Sequence, residues 1–160
     1  MGDFLDVLPP SQQEAARSLL TFVLDFCRDQ IATKGGFSPT SFSLDSTGSI
    51  QVGSALGKDA TESLELLMAG LREAAAAGEI TASALCSDIR CLPPGASEKV
   101  DAIRVTFEHA AGMSADVIQP YEPDDDDVRF GAIIAQHTDP EVFAADNRKE
   151  TRRPWWKPWS

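Results

Sequence analysis

Four consecutive carboxylates, Asp124 to Asp127 in "EPDDDDV", are the densest set of oxygen ligands in the chain, and oxygen ligands suit Ca²⁺ or Mg²⁺. Calcium loops space their ligands so that alternate residues converge on one ion. This run has neither the D-x-[DN]-x-[DN]-G pattern nor its distal glutamate, so it reads as a solvated, self-repelling loop. Asp88, Arg90, Arg104 and Glu108 form the best polar set for acid–base work. If the stretches 80–92 and 100–109 pair as strands, Asp88 and Arg90 fall near Arg104 and Glu108, as a ladder of opposite charges on an exposed sheet face. His109 has the opposite strand parity to Glu108, which makes a Glu/His acid–base pair awkward. His137, in "AQHTDPEVF", reads as a surface residue beside a local helix start at Thr138 to Pro140. Two histidines and three scattered cysteines make no zinc pattern. No phosphate-binding glycine loop, G-x-S-x-G or H-E-x-x-H is present. The expectation is no catalytic residue, no metal and no cofactor.

The outlier is the C-terminal "RRPWWKPWS", which holds all three tryptophans. Between Asp146 and Ser160 there are five cations against two acids, on a chain whose net charge is −11. Pro154 and Pro158 forbid a continuous helix and favour an extended path. Indoles on such a path insert into apolar slots while guanidinium groups meet carboxylates. Arg152, Arg153, Trp155, Trp156 and Trp159 are therefore the candidate partner-binding residues, docking on the acidic body of the same chain, a neighbouring copy or another protein.

The elements that must position these groups follow from periodicity. After "LPP", Ser11 and Glu14 are spaced as a capping box. Leu19, Leu20, Val23, Leu24, Cys27 and Ile31 then recur at helical spacing, and "KGG" ends a helix over roughly 12–32. "TSFSLDSTGSIQVGSA" reads as a β-hairpin with Phe42 and Leu44 on one face and Ile50 and Val52 on one face. Asp59 with Glu62 caps a second helix, whose stripe is Leu64, Leu67, Met68 and Leu71 and whose stop is Gly78. Three strands follow: "ITASALCSDIRCL", "DAIRVTFEH" and "SADVIQPY", the last limited by Pro120 to an edge or a strand end. "VRFGAIIAQ" supplies a last strand or a short helix. The expected fold is α+β, a meandering antiparallel sheet of about five strands in the order α-β-β-α-β-β-β. Both helices are expected on one face, with a single domain over 1–145 and the basic tail over 146–160.

Composition bounds the class. An apolar content of 42% and a charged content of 24% over 160 residues fit one globular domain. The net charge argues against nucleic acid and against an anionic membrane as partner. The odd number of cysteines and the lack of a charged n-region before an apolar h-region point to reduced thiols in a cytoplasm. Cys86 and Cys91, five apart in one strand, are expected on opposite sides of the sheet.

In element order alone the chain resembles roadblock-like and profilin-like sandwiches. Through "GFSPTSFSLDSTGSI", "GEITASALCSDIR", "DAIRVTFEHAAGMSADVIQPYE" and "VRFG" it resembles a group of small uncharacterised bacterial proteins over about 36–131. That resemblance implies one compact domain with no assigned activity, and it does not reach the tail. The functional expectation is a non-enzymatic, cytoplasmic interaction protein, a homodimer or an adaptor or inhibitor of another protein. The alternative is a small enzyme with a site on the sheet face, assisted by a divalent metal.

Overall fold

The computed structural model describes residues 2–143. After a 3-10 turn over Gly2–Val7 the elements are α1 (Pro10–Lys34), β1 (Thr40–Asp45), β2 (Ile50–Ser54), α2 (Ala60–Ala76), β3 (Ile80–Cys91), β4 (Val100–His109), β5 (Met113–Asp124), β6 (Asp127–Phe130) and β7 (Ile134–His137). The α+β class and the expected element order are borne out, with "VRFGAIIAQ" dividing into two short strands. α1 starts earlier than the Ser11 box implied: Pro10 is its first residue, and Pro9 in the cap position makes no side-chain bond. A proline at the first helical position has the right φ and wastes no donor, so it displaces the serine into the first turn. The helix ends at Gly35, left-handed at φ 81. α2 begins as expected, with Asp59 Oδ1 accepting from the Glu62 N–H at 2.9 Å. Asp59→Ala is expected to cost about 1 kcal/mol, read as a lower denaturant midpoint at an unchanged slope.

All strand pairs are antiparallel. The sheet runs β2-β1-β3-β4-β5-β6, and β7 joins the same side of β5 as β6. β7 covers 115–118 of β5 and β6 covers 121–124. Pro120, expected to end its strand, instead lies inside β5 opposite Ala102. Its carbonyl accepts from the Gly131 N–H on the β6/β7 side, so its missing donor points into the gap between those two strands. A proline is tolerated there because no ladder bond is demanded of it.

The helices lie on opposite faces of the sheet, where one shared face was expected. Consecutive residues of a strand point to opposite sides. Ala82, Ala84 and Cys86 pack in the core cluster with Leu20, Val23, Leu24 and Cys27 of α1, whereas Leu85 packs with Leu64, Leu67, Met68 and Leu71 of α2. A register shift beside Leu44/Asp45 turns Ile80 to the α2 side as well. On the α2 side Gly53 of β2 makes room for the neighbouring strand's Ser41: a Cβ there would sit 2.5 Å from Ser41 Oγ.

Candidate functional site

The strand register separates the four charged candidates. Ser87 pairs with Arg104, Ser83 with Glu108, Asp88 with Ile103, and Arg90 with Asp101. Asp88 and Arg90 thus share the α1 face, while Arg104 and Glu108 share the α2 face. The expected four-residue ladder on one exposed face does not form. β3 meets β4 with an odd register sum, and that places even-numbered residues of one strand opposite odd-numbered residues of the other.

The α2 face is nevertheless the polar centre of the molecule, and it is buried. Ser41, Ser43, Ser83, Ser87, Arg104, Thr106, Glu108, Ser114 and Asp116 are all buried. Arg104 donates from Nη2 to Asp116 Oδ2 at 2.7 Å, and the Thr106 hydroxyl donates to Asp116 Oδ1 at 3.0 Å. Burial pulls the Arg104 guanidinium below its ordinary value, while the Asp116 carboxylate works against that shift. Glu108 is only 1% exposed. Its Oε2 accepts from the Glu141 N–H at 2.9 Å, and its Oε1 accepts from the Val142 and Phe143 N–H groups at 2.9 and 3.1 Å. Burial pushes its carboxyl up, against the pull of those three donors. Arg72 of α2 reaches the same segment, donating to the Glu141 carbonyl at 3.1 Å and to Glu141 Oε1 at 2.8 Å. Residues 141–143 are therefore strapped across the face by a carboxylate below and a guanidinium beside them.

On the α1 face, Tyr121 donates its hydroxyl to Asp88 Oδ1 at 2.6 Å. Burial pushes the Asp88 carboxyl up and also raises the Tyr121 hydroxyl. Gly36 permits this arrangement: a Cβ there would sit 2.8 Å from Asp88 Oδ2. Arg90 is exposed and paired with Asp101 at 3.2 Å. His109 does face away from Glu108. Its Nδ1 accepts from the Ala111 N–H at 3.0 Å, and burial pulls the imidazole below its ordinary value. Cys86 and Cys91 belong to different core clusters, as the parity implied. Sequence spacing did not foresee that Cys27 of α1 meets Cys86, a contact that with burial raises the Cys27 thiol.

The remaining candidates are peripheral. Asp124 and Asp127 pair at the end of the β5–β6 hairpin, with Asp125 left-handed at φ 57, so the acidic run is a tight exposed turn. His137 is exposed in β7 opposite Ala115, and no helix starts after it within the described residues. Among the described residues no group of His, Cys, Asp or Glu is placed to hold a metal ion. No helix among them is long and apolar enough to cross a membrane. Arg152, Arg153, Trp155, Trp156 and Trp159 lie outside the described residues.

One contact feature escaped the sequence reading. Among the described residues β2 is the end of the sheet, bonded to β1 alone. Its Val52 is 62% exposed. Phe22 of α1, whose ring meets Phe42 at 5.8 Å beneath the same strands, is 47% exposed, and Leu56 just after β2 is fully exposed. The signal was present in "IQVGSALG": a strand without a charge or a proline, running into an apolar loop. Compared with known proteins, the chain matches no family model, no curated protein and no solved structure.

Proposed function

We propose that this protein is a non-enzymatic interaction module whose contact elements are the β2 edge and the basic, Trp-rich segment 146–160. The observation that carries this reading is the β2 edge. Natural sheet edges are shielded by charge, proline, bulges or a covering element, because unpaired N–H and C=O groups recruit another strand. β2 has none of the first three within its five residues, keeps an unbroken register with β1, and is bordered by exposed Val52, Phe22 and Leu56. Exposed apolar patches of this kind mark contact sites. The charged groups held in the sheet support the same reading, since these are engaged in holding structure: buried Arg104 with Asp116, buried Glu108 with the 141–143 backbone, and half-buried Asp88 with Tyr121. A homodimer or a heterologous protein partner both fit such an edge, and the acidic charge favours a partner with basic surface.

The test is capture of bound proteins from cells that make the full chain, compared with Val52→Lys and with a chain ending at Asn147. Loss of specific companions from either variant supports the reading. An identical set of companions from all three forms would remove both contact elements and the proposal with them.

A further inference from the structure

We infer that the β2 edge pairs with the same edge of a second copy, joining two sheets into one across a two-fold axis at Val52; this rests on the reading of β2 as a contact edge. The phase of the hydrogen bonds between β1 and β2 sets which groups of β2 face outward. The Asp45 N–H donates to the Ser49 carbonyl at 2.9 Å, at the mouth of the β1–β2 hairpin. Bonded and non-bonded pairs alternate along an antiparallel ladder. Ser43/Gln51 and Ser41/Gly53 therefore exchange bonds within the hairpin, while Leu44/Ile50, Phe42/Val52 and Thr40/Ser54 do not. The N–H and C=O groups of Ile50, Val52 and Ser54 consequently point away from β1, into the open edge.

That arrangement is its own complement. With a two-fold axis at Val52, Val52 meets Val52 of the second copy, and Ile50 meets the second copy's Ser54 in both directions. Every outward group then finds a partner in the bonded phase. The two α1 faces come to lie on the same side, because an axis perpendicular to the sheet keeps its faces. Val52 and Phe22 of each copy then meet along the seam, covering the apolar surface exposed beside Phe42.

Charge selects this edge for self-contact. Two chains of net charge −11 repel one another, and contact is least opposed where no charge stands. The strand "IQVGS" carries none. The two-fold also turns the Lys58 end of one copy toward the Asp45 turn of the other. Asp45 is held ionised, its carboxyl brought down to about 2 by the Thr47 hydroxyl and the Ser49 N–H. At the far end of the sheet path β6 is only four residues long and carries Arg129 beside Glu122 and the acidic turn, which are devices that keep edges apart.

The test is sedimentation equilibrium of the full chain over a wide concentration range, with Val52→Pro and Val52→Lys. Proline at 52 deletes only an outward-pointing donor, and lysine adds a charge at an exposed site, so the hairpin survives in both. The expected result is a mass rising from 17.2 kDa toward twice that value with concentration. Added salt should favour the heavier species, because it screens the repulsion between acidic bodies. Both variants should stay at the single-chain mass and match the wild-type unfolding midpoint at low protein concentration, where the wild type is also single. A wild-type chain that stays single at all concentrations overturns the self-pairing, while companions lost from Val52→Lys in the capture experiment would still uphold a heterologous edge contact. A double-mass species that persists in both variants overturns this interface. If one variant unfolds, the other decides.

Discussion

Glu108→Ala is expected to lower folding stability by about 3–5 kcal/mol, since it strips the acceptor from several buried donors at once. Oε1 and Oε2 between them hold the N–H groups of Glu141, Val142 and Phe143. Glu108→Gln is expected to recover only part of the loss: its carbonyl oxygen serves Val142 and Phe143, but its NH₂ then confronts the Glu141 donor. Amide hydrogen exchange separates local from global damage, with early loss of protection expected at 141–143. The pH dependence carries a sign. Burial raises the folded carboxyl above its unfolded value of about 4.3, so between the two values the native state still holds a proton that the unfolded chain has released. Stability therefore falls as pH rises through that window. Asp88, also raised by burial, adds a slope of the same sign. Urea titrations at several pH values should show a flatter profile in Glu108→Ala than in the wild type, and a profile that is not flattened would refute the assignment.

Asp116→Ala is expected to be about as costly, roughly 3–5 kcal/mol, because it leaves the Arg104 guanidinium buried without the carboxylate at 2.7 Å. The Thr106 hydroxyl loses its acceptor in the same step. The double variant Arg104→Met/Asp116→Leu should regain most of that loss, since apolar side chains of similar volume remove the charges together with their desolvation cost. Equilibrium unfolding of the single and double variants forms the check. A double variant as unstable as Asp116→Ala would mean that the pair is not the reason for the loss. Neither result is expected to alter self-association, because Arg104 and Asp116 lie in β4 and β5, and β1 and β3 separate them from the β2 edge.

The helices, the hairpin and the long strands were legible because each is written in local periodicity and end signals. Asp59 caps α2, Gly35 closes α1 and Phe42 and Leu44 share one face of the hairpin, as the spacing said, while the Phe42–Val52 pairing came only with the structure. The parity of β4 was legible too: Arg104 and Glu108 do share a side, and His109 takes the other. What local pattern could not convey was that this side is buried. A serine, threonine and charge alternation looks the same whether water or the 141–143 backbone satisfies it. The separation of Asp88 from Glu108 likewise depended on a register between distant segments, which no spacing within either strand encodes. Pro120 misled for a related reason, because a proline forbids a ladder bond only on the side where a partner strand asks for one.

By itself the sequence determined the element types, their order, the hydrophobic faces and the acidic charge, since these depend on side chains a few positions apart. Only the tertiary structure decided that the helices sandwich the sheet, that Glu108 and Arg104 hold its covered side, and that β2 is left as an open end among the described residues. Those outcomes depend on which strands become neighbours and in what register, and pairing over long separations is settled by the packing of the whole chain.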